Sequence, residues 1–408
     1  MDTITHGIAG ALIGKGFFSR KAARVVVFSA TVGAMFPDID VVAEIFSRDP
    51  LAIVKYHRAI THSFIALPFF AVGLAFLTLV GVAFLRKNYP RFTDLEPPTW
   101  GMLTIIYAVA IASHILLDAM TSFGTRMWFP FSEQRVAWDI LFIIDFTFTS
   151  LVLLPQIAAW IFKDREKATR RAVAMFLIFS IGAFAVWKIA DAVGFPFHRW
   201  IAGVAILILA ALFFVPLYRG AGFGITTPQW CRAGTYLTLV YLLLCTFAHH
   251  AAFARARAFA ASNNIPVERI AALPLPPSLL DWGGVIRSLD GVYQSRFDLR
   301  SSSAPQFWFR PDSPPDAFIA RALQLPEVKT YWTFARFPVI RSFAADGQHF
   351  VDFNENRFIT RRTKGPAPFS YRVIFDNAGN PIEEGWQADG MDVRRMIKIL
   401  PAPSGNSR

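Results

Sequence analysis

The sequence predicts a mainly α-helical, polytopic membrane domain of about six to eight helices, followed by a small, mostly β domain outside the membrane. Three observations carry that expectation. Of 408 residues, 54% are hydrophobic and only 17% are charged, against about 25% charged in average soluble proteins. Apolar stretches of roughly 20 residues, the length that crosses a bilayer, recur along the first part of the chain. Beyond residue 260 they give way to short aromatic and β-branched runs separated by turn residues, which is a strand pattern. The same composition excludes a disordered chain. The two cysteines, Cys231 and Cys245, exclude a disulfide scaffold and a Cys-based metal site.

The elements follow in order. Two apolar stretches, 7–18 and 25–37, open the chain; at about 12 residues, each is compatible with a short or interfacial helix as well as with a full span. Lys15 follows the first stretch rather than preceding it, and Ser19-Arg20-Lys21 is no small-residue cleavage site, so the opening does not read as a secretory signal. Longer apolar stretches lie at 64–85, 100–120, 138–162, 171–193, 199–217 and 234–252. Residues 1–255 therefore form the expected membrane domain. Residues 256–280, with Leu273-Pro274-Leu275-Pro276-Pro277, read as a stiff linker. In 281–408, the runs Tyr331-Trp332-Thr333-Phe334 and Tyr371-Arg372-Val373-Ile374-Phe375 stand beside the turn signals Ala345-Asp346-Gly347 and Asp376-Asn377-Ala378-Gly379-Asn380, a β-hairpin pattern.

Charge orients these elements. Lys and Arg number 41 and Asp and Glu 29, a net charge of +12. If the spans alternate in direction, one side receives Arg20, Lys21, Arg24, Arg86, Lys87, Arg91, Lys163, Arg165, Lys167, Arg170, Arg171, Arg219 and Arg232. The other receives Arg48, Lys55, Arg58, Arg126, Arg135 and Arg199. The positive-inside rule puts the richer side in the cytoplasm. The N-terminus, the loops 38–63 and 121–137 and the C-terminal domain then lie outside. Topology accounts for the basic excess, so the expected partner is a lipid bilayer and not nucleic acid.

Ionisable residues at membrane depth are costly and mark function. Here they are His6, Asp38, Asp40, His57, His62, His114, Asp118, Asp139 and Asp145. All fall at the external face under the same alternation. His114 and Asp118, four apart, share one helix face. Asp38 and Asp40 flank Ile39; in extended backbone both carboxylates point one way. Each also has a plainer reading: His6 as a helix-end histidine, Asp38 and Asp40 as caps, His114 with Asp118 as a buried pair, Asp145 as a partner of Arg126 or Arg135. Convergence on one face favours a shared polar site. His198, His249, His250 and His349 read as structural.

The motifs carry a resemblance. Met1-Asp2-Thr3-Ile4-Thr5-His6-Gly7, Phe36-Pro37-Asp38-Ile39-Asp40, His57-Arg58-Ala59-Ile60-Thr61-His62-Ser63 and Ser113-His114-Ile115-Leu116-Leu117-Asp118 resemble the YdjM-type family of predicted membrane-bound metal-dependent hydrolases of bacteria. Thr121-Ser122-Phe123-Gly124-Thr125 and Asp145 continue the pattern, which covers about residues 1–150. The resemblance implies an inner-membrane protein with a metal site and hydrolase activity.

The expected ligands are His6, Asp38, Asp40, His57, His62, His114 and Asp118, holding one or two divalent ions, with zinc ahead of manganese or magnesium. Such an ion activates water and polarises an acyl or phosphoryl oxygen. Asp40 or Asp118 is the expected general base, and Arg58 is expected to grip an anionic oxygen, with Arg126 a weaker candidate. Thr61 and Ser63 are expected to orient the imidazoles. A site at the lipid–water boundary favours a lipid or amphiphilic ester. The alternatives are a cation- or proton-handling transporter and a metal-stabilised, non-enzymatic membrane protein that presents its C-terminal domain to a partner.

Overall fold

The computed structural model describes the chain except for residues 19–22, 48, 193–198, 219, 277, 359–367, 388–396 and 399–408. Arg20, Lys21, Arg48, His198, Arg219 and Pro277, used above, fall outside the described residues.

Helix α1 (Thr3–Ile13) starts where the Asp2 carboxylate accepts the Thr5 N–H at 2.9 Å, and it continues as a π-helical turn over Gly14–Phe18. Helix α2 (Ala23–Met35) packs back along it. Gly10 sets how closely the two approach: a Cβ there would stand 2.3 Å from the Ala30 carbonyl oxygen. A 3₁₀ turn (Phe36–Ile39) leads into the short helices α3 (Asp40–Phe46) and α4 (Ala52–Lys55), and a second 3₁₀ turn covers Ile60–His62. Then come α5 (Leu67–Asn88), α6 (Trp100–Ala119), α7 (Phe146–Ile161), α8 (Arg165–Ala192), α9 (Arg199–Tyr218) and α10 (Thr227–Ser262). Helix α6 lies between α2 and α5, while α7 packs on α10 and α1.

Six segments among the described residues are long and apolar enough to cross a membrane: Ala23–Val42, Leu67–Asn88, Trp100–Ala119, Arg165–Lys188, Ile201–Tyr218 and Thr227–Ser262. One expected stretch and one of these segments depart from the sequence expectation. The stretch 138–162 is helical only from Phe146, because Asp145 accepts the N–H groups of Thr147 and Phe148 and caps the helix there. Helix α10 has 36 residues, or about 54 Å at 1.5 Å per residue. A hydrocarbon core of about 30 Å cannot contain it, and its C-terminal turns pack against the first β-sheet.

That sheet is an antiparallel meander of β1 (Arg269–Pro274), β2 (Asp281–Ser288), β3 (Gly291–Asp298) and β4 (Phe307–Pro311). The stretch expected to be a linker is therefore structured: α10 runs to Ser262, and β1 pairs with β2 from Arg269 to Pro274. Pro274 is tolerated because it ends an edge strand. Helices α11 (Ala317–Ala322) and α12 (Pro326–Phe334) follow. The run Tyr331-Trp332-Thr333-Phe334, expected to be a strand, belongs to α12. Pro326 opens that helix, and Val328, Tyr331 and Phe334, buried at spacings of three, line its inner face. A second antiparallel sheet runs β5 (Pro338–Ala345), β6 (Gln348–Glu355), β7 (Ser370–Phe375), β8 (Pro381–Trp386) and β9 (Ile397–Lys398). Its first hairpin turns at Asp346-Gly347, both with positive φ, as the turn signal predicted.

The β region does not stand apart. Leu51, Val54 and Phe123, from the loops beside the helix ends, share one hydrophobic core with Val328, Tyr331, Phe334, Phe353 and Tyr371. Trp386 Nε1 donates to the Pro50 carbonyl, and Arg336 grips Asp139 with two hydrogen bonds of 2.8 and 2.9 Å.

Candidate metal centre

Four side chains converge where the ends of α2 and α6 meet the 3₁₀ turn Ile60–His62. One donor atom each from Asp38, His62, His114 and Asp118 lies within 4.8 Å of the other three. His62 Nε2 and His114 Nε2 are 3.0 Å apart. Asp118 Oδ2 is 3.3 Å from the first and 3.6 Å from the second. Asp38 Oδ1 is 3.6 Å and 3.4 Å from them. Tetrahedral bonds of 2.0–2.1 Å put neighbouring ligand atoms about 3.3–3.4 Å apart, so the spacing suits one small divalent cation.

The imidazoles are turned for that role. His114 Nδ1 meets the Ala34 carbonyl oxygen at 2.6 Å. A carbonyl only accepts, so Nδ1 carries the proton and Nε2 presents its lone pair. His62 Nδ1 lies 3.0 Å from the Thr61 hydroxyl and 3.3 Å from Asp40 Oδ2, a carboxylate–histidine arrangement with the same consequence. The two Nε2 atoms, facing each other at 3.0 Å, are held either by a shared proton or by a cation between them. Burial by itself lowers the pKa of His62. Its hydrogen bonds to Asp118, Asp38 and Asp40 outweigh burial and push it up to about 10, so the pocket attracts positive charge.

The other predicted residues surround this set. His6 is fully buried, stacks on His114 with ring centroids 3.6 Å apart, and places Nε2 3.1 Å from Asp118 Oδ1, the oxygen that also meets the Met1 amine. Asp38 and Asp40 do not point the same way, because the chain there is a 3₁₀ turn entering α3 and not extended. Asp38 Oδ2 accepts the Thr3 hydroxyl at 2.6 Å. Asp40 lies behind the His62 ring, with Oδ1 3.0 Å from His57 Nδ1 and Oδ2 accepting from the Arg58 N–H and the Thr61 hydroxyl at 3.0 Å each.

Arg58 does not reach outward for an anion. It sits at positive φ with 2% exposure, its Nε 2.8 Å from Asp118 Oδ2, and it donates to the Thr121 hydroxyl and the Asp118 carbonyl. Ser63 donates to the Phe129 carbonyl instead of orienting an imidazole. Asp145 pairs with neither Arg126 nor Arg135; besides capping α7 it accepts the Tyr241 hydroxyl at 2.8 Å. His349 contacts Ser342 and lies 3.8 Å from Asp316, but both sit at its Nε2. A hydrolytic triad needs its carboxylate at the opposite ring nitrogen. Sequence reasoning missed Phe123, whose ring lies 5.3 Å from His57 and 5.1 Å from Phe334, and Arg357, which donates to the Ser122 and Phe123 carbonyls. No local pattern signals either contact.

Helices of spanning length around a buried Asp/His ligand set define a membrane protein able to hold a metal ion. Residues 1–192 match the YdjM inner membrane protein family, the family its motifs resemble. Over 168 residues the chain is 27% identical to the uncharacterized protein YfhP of Bacillus subtilis (strain 168), covering 39% of this chain and 46% of that protein, so less than half of the relative is spanned. Over 147 residues it is 29% identical to the inner membrane protein YbcI of Escherichia coli (strain K12), covering 35% of this chain and 76% of that protein. No solved structure matches.

Proposed function

We propose that the protein is a metal-dependent hydrolase of the inner membrane that cleaves a phosphate ester or other ester of a lipid or amphiphile at the external membrane face. The observation that carries this reading is the convergence of Asp38, His62, His114 and Asp118 within 4.8 Å, with both Nδ1 atoms tied back. Two imidazoles and two carboxylates suit zinc. A divalent ion on that set supplies Lewis acidity toward an ester oxygen and a lowered pKa for water.

The chain's own residues do the rest. His57 is the proton-transfer group: its side chain, 15% exposed, is the most open of the site's ion-paired residues, and Asp40 orients its ring through Nδ1. That assigns Asp40 a positioning role and takes Asp118 out of base duty, since Asp118 faces both ligand histidines and Arg58. Arg58 in turn holds Asp118 in place. Exposed Ile39, Ile45, Phe46 and Ile60 flank the ligands in sequence, which suits a substrate at the lipid boundary. The clustering of the ligands at helix ends weighs against cation transport, which places its site near the midplane. The positive-inside pattern supports the external placement.

Purified in detergent, the parent should contain metal that His62→Ala and His114→Ala abolish. On a panel of phosphoester and carboxyl-ester lipids it should show metal-dependent turnover that His57→Gln removes while metal is retained. A metal-free parent, or metal content unchanged in both alanine variants, overturns the site. Metal without turnover leaves the non-enzymatic reading.

A further inference from the structure

Beside the ligand set lies a cluster of arginines. The Arg58 guanidinium stands 5.0 Å from the Phe123 ring centroid and that of Arg135 5.7 Å from it. Arg135 is also 5.6 Å from the Phe334 ring, over which Arg357 sits at 4.3 Å. Arg126 joins through its backbone N–H, which donates to the Arg58 carbonyl at 3.0 Å. Phe123 thus lies near His57 and near both Arg58 and Arg135.

Their charges are not balanced alike. Arg58 has Asp118 and Arg357 has Glu355. Among the described hydrogen bonds, Arg126 and Arg135 have only carbonyl oxygens, those of Val54 and Lys55 for Arg126 and of Val54 and Gly124 for Arg135; Glu133 acts on both without a hydrogen bond, and Asp40 acts on Arg126. Arg126 is 6% exposed, and its Nε is buried with no hydrogen bond. Arg135 is pushed down to about 9 by burial and by Arg126, Arg357 and Arg58. Glu133 and Asp40 only partly offset burial and crowding, which still lower the pKa of both arginines; guanidinium groups held in this way are costly, and an anion between them lowers that cost. A guanidinium fork matches phosphate oxygens in particular.

We propose that Arg126 and Arg135 form a phosphate-recognition pair next to the metal centre, which selects phosphate esters over uncharged esters. The identification of this phosphate as part of a substrate rests on the hydrolase reading; its binding does not.

The test uses the full chain in nanodiscs, with metal content and fold checked in every variant. Inorganic phosphate is titrated calorimetrically, and phosphatidate is compared with an uncharged diacylglycerol in the disc. Arg135→Gln, at a half-buried position, should weaken phosphate binding at least about tenfold with metal retained, and Arg135→Lys should recover part of the loss. Preference for phosphatidate over free phosphate assigns a lipid headgroup, and the reverse assigns a soluble phosphate; either supports the pair. Unchanged phosphate affinity in folded Arg135→Gln shows that the arginines only tie loops together and overturns the proposal. So does binding that a chelator abolishes and Arg135→Gln leaves intact. A parent that lacks metal yet binds phosphate through Arg135 sinks the hydrolase reading alone.

Discussion

The metal centre and the C-terminal β region both bury charge, but they balance it differently. In the β region the buried carboxylates Glu355 and Asp352 each meet their own cation. Glu355, fully buried, accepts the N–H groups of Arg336 and Arg357 and pairs with the Arg357 side chain. Asp352 is held by two bonds from Arg372, at 2.6 and 2.8 Å. Asp139, on the loop facing this region, is held by Arg336. In the centre, Asp38, Asp40 and Asp118 crowd two imidazoles, and Asp38 faces only those rings and a threonine hydroxyl among its described contacts. Closed pairs fasten a structure. A set of carboxylates and imidazole nitrogens converging on one point is a place for an ion.

The comparison is tested hardest at Asp118 and Glu355. Asp118→Asn should empty the site of metal and also leave Arg58 buried without its counter-charge, at a cost of about 3–5 kcal/mol in chemical denaturation. Glu355→Gln should cost a similar amount through Arg357 while metal content stays at the parental level. If both variants lose metal, the distinction between the regions fails. A smaller effect, about 1–3 kcal/mol, is expected from Arg336→Ala, read as faster proteolysis between α10 and β1 with metal unchanged.

Next comes a pH effect confined to the β region. Burial, together with Glu327, pushes Glu384 up from 4.5 to about 7. The folded region then keeps a proton that the unfolded chain has already released, so this contribution to stability is full below about 4.5 and is lost as pH rises through 7. The thermal midpoint should fall over that window, and Glu384→Gln should flatten the fall. An equal slope in the variant would assign it elsewhere. Smallest is Arg372→Ala, whose side chain is 30% exposed; a loss below about 1 kcal/mol is expected, and a larger one would mean that this pair behaves as a buried one.

Much of the fold is legible from hydropathy alone, because the cost of placing a residue in lipid is set residue by residue. Helices α5, α6 and α9 lie within a few residues of the apolar stretches that predicted them. The short stretch 25–37 was harder. It becomes a candidate span only by running through the Phe36–Ile39 turn into α3, and an apolar run does not reveal a turn that stays apolar. In the β region turn residues announce the hairpin at Asp346-Gly347, whereas at α12 aromatic residues mimic a strand and only packing shows a helical face. In the site, the spacing of His114 and Asp118 announced a shared face. The divergence of Asp38 and Asp40 was hidden, since it depends on the local backbone.

By itself, then, the sequence determined which residues are too polar for their surroundings and that they gather at one end of the helices. Both follow from local transfer energies and from helix length. Only the tertiary structure decided that four of the seven expected ligands point at one another, that Arg58 faces inward to Asp118, and that the β region closes over the loops beside the site. Those outcomes join residues far apart in the chain: Arg58 meets Asp118, 60 positions on, and Trp386 meets Pro50 across 336. No local pattern encodes such contacts. They form when the helices pack and bring their ends together.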